Sequence, residues 1–150
     1  MADGPDEIRK VCRLLVREGV DLLKLNISGD TGPRHSRFQR AVMTDAEVAA
    51  AMEIARAGAE RVCAHARSAE SVKMCVRHGI GIIYHANFAD EEALDLLEAS
   101  RDWCFVAPAL GLTYQACYAA SEWGFTPQMA RDRGLLDELE VSVDTMGQMR

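Results

Sequence analysis

The sequence has no C-x-x-C pair, no basic stretch, no low-complexity segment and no apolar run approaching the ~20 residues that span a bilayer. Each absence closes a class. The five cysteines, at 12, 63, 75, 104 and 117, are odd in number and scattered, which fits neither a disulfide framework nor a zinc-finger spacing. Several lie in apolar patterns, where cysteine behaves as a small hydrophobe, so all five are expected reduced and structural. A net charge of −6 with no basic face excludes a general nucleic-acid or membrane-surface binder. The opening MADGPDEIRK is acidic and lacks the apolar core of a secretory signal. The expectation is a cytoplasmic protein with no nucleic-acid and no membrane partner.

What is present is one domain's worth of chain. The 150 residues are 49% apolar and 27% charged, a globular composition able to bury a core. Asp3-Gly4-Pro5-Asp6-Glu7 reads as a helix start, with proline and acids in the first turn. Ile8, Val11, Leu14 and Leu15 follow at helical spacing, and Gly19 stops the helix. The strand Val20–Asn26 follows at once. Ile27–Met43 has no periodicity and carries Gly29, Gly32 and Pro33; a long loop after a strand's carboxyl end is the usual place for a lid or binding loop. Thr44-Asp45-Ala46-Glu47 matches a capping box and opens an alanine-rich helix stopped by Gly58.

Strand Glu60–Ala64 leads to His65, a helix over Ser68–His78 follows, and strand Ile80–Tyr84 leads to His85. Asp90 caps the next helix, Trp103–Ala109 is a fourth strand, Thr126-Pro127 starts another helix, and a last helical pattern lies near Leu135–Met146. This alternation predicts a parallel sheet with helical crossovers. Four strands make a small open sheet or half of a (β/α)8 barrel, and both termini fall at element boundaries, as in a fragment.

The residues with chemistry gather at strand ends. His65 and His85, one βα unit apart, are expected at the carboxyl edge, where β/α folds bind ligands. Imidazole nitrogen suits zinc and related divalent ions, although two histidines alone do not complete a site; each is also consistent with packing or capping. Lys24, near the end of an apolar strand, reads either as a snorkelling or paired lysine, as a Schiff-base amine, or as a lysine carbamylated into a carboxylate-like metal ligand. His35 belongs to the long loop, where it would either touch substrate or be solvated. His78, in the last turn of a helix, is accounted for by the negative helix end. Tyr84, one residue before His85, is expected on the opposite side of its strand, as packing.

GVDLLKLNISGD, VCAHARSAESVKMCVRHGIGIIYHANFADEEALDLL and FVAPALGL together resemble the metal-dependent amidohydrolase superfamily, in its imidazolonepropionase-like and prolidase-like branch. The resemblance implies a partial (β/α)8 TIM barrel holding strands four to seven, with residues 1–150 as one partial amidohydrolase domain. It makes Lys24 the strand-four ligand, bridging two metals when carbamylated, and His65 and His85 the ligands from strands five and six. The implied cofactor is a divalent metal, zinc, one or two ions in a full-length parent. Arg67, two residues past His65, becomes a candidate clamp for a substrate carboxylate, with a surface helix-start arginine as the alternative. The implied activity is hydrolysis of an amide, peptide-like or cyclic C–N bond in a small molecule.

Departures from the family pattern carry equal weight. There is no His-x-His, and no strand-eight aspartate to act as general base, so the chain alone is expected to be inactive. Tyr84-His85-Ala86 stands where many relatives have Glu-His-Gly. The alternative to a hydrolase fragment is a non-catalytic half-barrel that forms homo-oligomers through open sheet edges. A Schiff-base enzyme using Lys24 ranks last, since it leaves both histidines idle.

Overall fold

The computed structural model describes residues 2–30, 38–59 and 61–149. Four strands form one parallel sheet in the order β1-β2-β3-β4: β1 Leu22–Asn26, β2 Arg61–Ser68, β3 Ile82–Phe88 and β4 Phe105–Ala107. Helices α1 (Gly4–Arg17), α2 (Asp45–Gly58), α3 (Ala69–His78) and α4 (Glu91–Ala99) precede or connect the strands. After β4 come α5 (Leu110–Tyr118), a 3₁₀ turn at Ser121–Trp123, α6 (Pro127–Asp132) and α7 (Leu135–Gln148). This four-strand parallel α/β sheet is compatible with part of a TIM barrel.

Local chemistry sets the element ends. The Thr44 hydroxyl accepts the Glu47 amide while the Glu47 carboxylate accepts the Thr44 amide, so the capping box closes in both directions. The side chains of Ser68, Asp90 and Thr126 cap α3, α4 and α6 by accepting the amides of Ser71, Ala93 and Met129. At the end of α3, Gly79 takes φ +79°, a left-handed conformation that glycine adopts without steric cost. Gly58 serves packing instead: a Cβ there would lie 2.4 Å from Val16 Cγ1, where α1 and α2 meet.

One side of the sheet carries the core. Leu23, Leu25, Val62, Ala64, Ala66 and Ile83 point into the helical layer, packing with Val48, Ala51, Val72 and Cys75. A smaller apolar cluster of Cys117, Ala130, Leu135 and Leu139 joins α5, α6 and α7. All five cysteine thiols are free and buried. Burial pushes the Cys104 thiol up to about 11 and the Cys75 thiol higher still, so neither offers a thiolate near neutral pH.

Three expectations need correction. In α1 the buried line is Ile8, Cys12 and Val16, whereas Val11, Leu14 and Leu15 of the expected apolar face are exposed. Strand β2 continues past His65 to Ser68, so Arg67 belongs to a strand end and is buried, not a surface residue at a helix start. The fourth strand is only three residues long, because Pro108 has no amide to donate and Ala109 is left-handed at φ +55°. Glu60 lies outside the described residues.

Candidate functional site

The carboxyl ends of β1, β2 and β3 carry the candidate residues. In the ladder Lys24 pairs with Cys63, Asn26 with His65, and His65 with Tyr84. Alternation therefore puts Lys24, Asn26, Cys63, His65 and Tyr84 on the face turned away from the core. Lys24 is exposed there, and its ammonium lies 5.0 Å from the centre of the Tyr84 ring.

His85 reaches the same region by breaking the alternation. Its ladder partner is Ala66, a core-facing residue, yet its ring stands edge-on to His65 with centroids 4.7 Å apart. The backbone explains this. His85 has φ +81° and Ala86 φ +52°, two successive left-handed residues beside a register shift in β2. Each costs an L-residue roughly 1–2 kcal/mol, and together they turn the histidine across the strand. Ala86 stands where the resemblance expects glycine, the residue that would hold this conformation without strain. Tyr84 is accordingly not on the side opposite His85: the rings lie 6.5 Å apart, and Tyr84 borders both Lys24 and His85.

Both imidazoles are oriented by main-chain carbonyls. His65 is buried, with Nε2 2.9 Å from the Gly29 carbonyl oxygen; the ring donates there, which leaves the Nδ1 lone pair open. His85 bonds to the backbone of Pro108, whose only main-chain polar group is its carbonyl, so this ring too donates one N–H and keeps one nitrogen open. A carbonyl behind each ring is the usual orienting partner of metal-bound histidine. Burial, then the nearby Arg67 and His65, pushes His85 down to about 4, leaving its ring neutral at physiological pH. Among the described residues, no group of three or more His, Cys, Asp or Glu side chains converges on one point.

The depressed His85 value sets a pH dependence. In metal-free protein the unfolded chain binds a proton near pH 6.5 that the folded chain refuses until about pH 4, so stability is lost as pH falls through that window. The full shift corresponds to roughly 3 kcal/mol, reduced to about 1–2 kcal/mol by solvent screening at a partly buried ring. Urea unfolding of the protein and its His85→Asn variant between pH 7 and 4 checks this: the variant is expected to lose that much less stability on acidification.

Behind the histidines lies a buried polar network. Arg67 is 2% exposed; its guanidinium pairs with Glu138 of α7, donates to Asn87 Oδ1 at 3.1 Å, and lies 3.2 Å from Asp30 Oδ1. Its amide donates to the Ser28 hydroxyl at 2.8 Å. Asn87 bonds Ser142, while Thr145 donates to the Asn87 carbonyl at 2.9 Å, so α7 is fastened to the ends of β2 and β3. Burial raises the Glu138 carboxyl above its usual range, and Arg67 draws it back. His78 lies apart from all of this, its Nε2 3.0 Å from Asp45 Oδ1 at the start of α2. His35 lies outside the described residues.

Comparison with known proteins points to the metal-dependent amidohydrolase superfamily. A curated relative, the ochratoxinase of Aspergillus niger, is 28% identical over 98 residues, 65% of this chain and 20% of its own length. Among solved structures, an amidohydrolase matches 99% of this chain and 35% of its own at 26% identity and a TM-score of 0.81. A prolidase complexed with N-methylphosphonate-L-proline matches the same shares at 22% identity and a TM-score of 0.84. The chain thus spans about a fifth of the curated relative and about a third of these structures. No family model matches the sequence.

Proposed function

We propose that residues 1–150 form a partial amidohydrolase domain, strands four to seven of a (β/α)8 barrel. In this reading Lys24, His65 and His85 are ligands of a divalent metal, zinc, in one- or two-ion form in a longer parent. The parent hydrolyses amide, peptide-like or cyclic C–N bonds of small molecules. The observation that carries the reading is the pair of imidazoles 4.7 Å apart, each fixed by a main-chain carbonyl and each with one open nitrogen.

The donor set fits the ion on one condition. Two nitrogens need a third protein ligand, the usual number in catalytic zinc sites, and an ammonium cannot serve. The neutral Lys24 amine, attacking carbon dioxide and releasing a proton, becomes a carbamate whose oxygens can. An ion held there supplies Lewis acidity and hydroxide near neutral pH. The chain's own residues bind and orient: the Gly29 and Pro108 carbonyls hold the rings, and Tyr84 borders the space between Lys24 and His85. A substrate carboxylate has a route to Arg67 by replacing Asp30, whose side chain is half exposed, while Glu138 stays in place. His35 stays with the substrate loop in this reading.

Calorimetric zinc titration with and without bicarbonate, together with ¹³C NMR in ¹³C-bicarbonate, tests the proposal. One saturable site, tighter with bicarbonate, and a carbamate resonance lost in Lys24→Ala are expected. Zinc binding indifferent to bicarbonate, with no such resonance, would sink Lys24 as a ligand. The 150-residue chain alone is expected to show no turnover.

A further inference from the structure

Just past β1 a serine hydroxyl stands in for a main-chain acceptor. The amides of Ile27 and Ser28 both donate to the His65 carbonyl, at 3.0 and 3.4 Å, so the chain beyond Asn26 still follows β2. The next bond of a parallel ladder would run from the Arg67 amide to the Ile27 carbonyl. That carbonyl is already taken by the amides of Val42 and Met43, at 2.7 and 3.4 Å. Arg67 donates instead to the Ser28 hydroxyl at 2.8 Å. A buried amide left without an acceptor is costly, so the position needs a short side chain that can accept. Ser28 is fully buried there. The same hydroxyl has one hydrogen to give, and it donates to the Gly29 carbonyl at 3.2 Å. That carbonyl is also the acceptor of His65 Nε2, at 2.9 Å, and the Gly29 amide is held by the Arg40 carbonyl at 3.1 Å. His65 is therefore gripped at both ends by consecutive residues, its carbonyl by Ile27 and Ser28 and its ring by Gly29.

We propose that Ser28 is a positioning residue for His65: by joining the Arg67 amide to the Gly29 carbonyl, it aims that carbonyl at Nε2 and fixes Nδ1 as the nitrogen offered to a divalent metal. Either imidazole nitrogen can carry the proton, and the one that meets a carbonyl keeps it. The tautomer of His65 thus depends on where the Gly29 carbonyl points. Its own amide fixes one side of Gly29, and the Ser28 hydroxyl fixes the carbonyl side. Alanine at position 28 would remove the donor to Gly29 and leave the Arg67 amide without its acceptor in one step. The consequence for zinc rests on the metal-site reading; the orientation of the ring does not.

¹⁵N NMR of histidine-labelled, metal-free protein at mildly alkaline pH provides the test, with His65→Asn assigning the His65 signals. The parent is expected to show His65 as the single tautomer protonated at Nε2. In Ser28→Ala the two nitrogen signals should move toward each other as the tautomers mix, and zinc should bind about 10-fold more weakly, the lower end for loss of a partner behind a metal-bound histidine. Ser71→Ala is the control: it removes another fully buried hydroxyl, bonded to the Ser68 carbonyl at 2.7 Å and remote from the His65 ring, so it should cost stability with neither readout changed. If Ser28→Ala does not fold, Ser28→Cys keeps a weaker donor and acceptor of similar size and should move both readouts in the same direction by less. A parent protonated at Nδ1 overturns the proposal, as does a Ser28 variant whose His65 signals match those of Ser71→Ala. Because the tautomer is measured without metal, a Ser28-dependent tautomer in a protein that binds no zinc would defeat the metal-site reading alone. Zinc binding with a tautomer indifferent to Ser28 would defeat this inference alone.

Discussion

Replacing Glu138 with leucine is expected to destabilise the protein by about 3–5 kcal/mol, the largest effect of any single change outside the apolar core. The cause is the arginine left behind. Arg67 is 2% exposed, and with Glu138 gone its charge keeps, among the described residues, Asn87 and the half-exposed Asp30. A charge withdrawn from water without a full partner carries a desolvation cost of several kcal/mol. The pair itself is not a large net source of stability, because two ions had to be buried to form it. Arg67→Leu combined with Glu138→Leu should therefore be much less harmful than the sum of the single changes. Urea unfolding of the four proteins measures this coupling. A loss below about 1 kcal/mol for Glu138→Leu would show that Arg67 is satisfied without α7. Because the same network reaches Asn87, two residues beyond His85, local hydrogen exchange at the ends of β2 and β3 should rise in parallel.

Most of the fold was legible because its signals are local. The Thr44–Glu47 box, Ser68, Asp90, Thr126 and the glycine after His78 mark element ends through side-chain and backbone chemistry that acts within four residues. The strand periods put Lys24, His65 and His85 toward the carboxyl edge of the sheet, where the strands carry them. Three features escaped. Helix α1 has apolar residues on two sides, and which side packs is decided by α2, where Gly58 admits Val16. The face of Tyr84 relative to His85 was misassigned because period-two alternation presumes extended backbone, and His85 and Ala86 are left-handed. Neither residue type announces that conformation, although Ala86, where the resemblance expects glycine, was a hint.

Glu138 was missed for a different reason: in the sequence it is one acid among several on a helix. Its line of Leu135, Leu139 and Ser142, at spacings of three and four, marks the buried side of α7, and a glutamate on that line signals a buried cation opposite. Pairing it with Arg67 required tertiary structure, because 71 residues separate them. The resemblance gave Arg67 a role toward substrate, and the geometry adds a prior occupation. Any carboxylate that Arg67 takes up must compete with Asp30.

Removing His65 is the change expected to act most strongly on metal binding. It takes away one of only two imidazoles on this face among the described residues, where no group of three or more His, Cys, Asp or Glu side chains converges. Even outer-shell partners of metal-bound histidines are worth about 10–100-fold in affinity, so loss of the ring itself should weaken zinc by about 100-fold or more. His65→Asn retains a polar side chain behind Gly29 but not the imidazole nitrogen, and His85→Asn should behave alike. His78 supplies the control: its ring is engaged with Asp45 at the far end of α3, so His78→Asn should bind zinc as the parent does. Cobalt absorption adds a readout free of turnover, since nitrogen ligation alters the visible d–d bands and loss of either ring should shift them. If His65→Asn and His85→Asn bind zinc as tightly as the parent and give its cobalt spectrum, the two rings are a packed edge-on pair held by main-chain carbonyls. The left-handed turn at His85 would then be serving packing, not ligation.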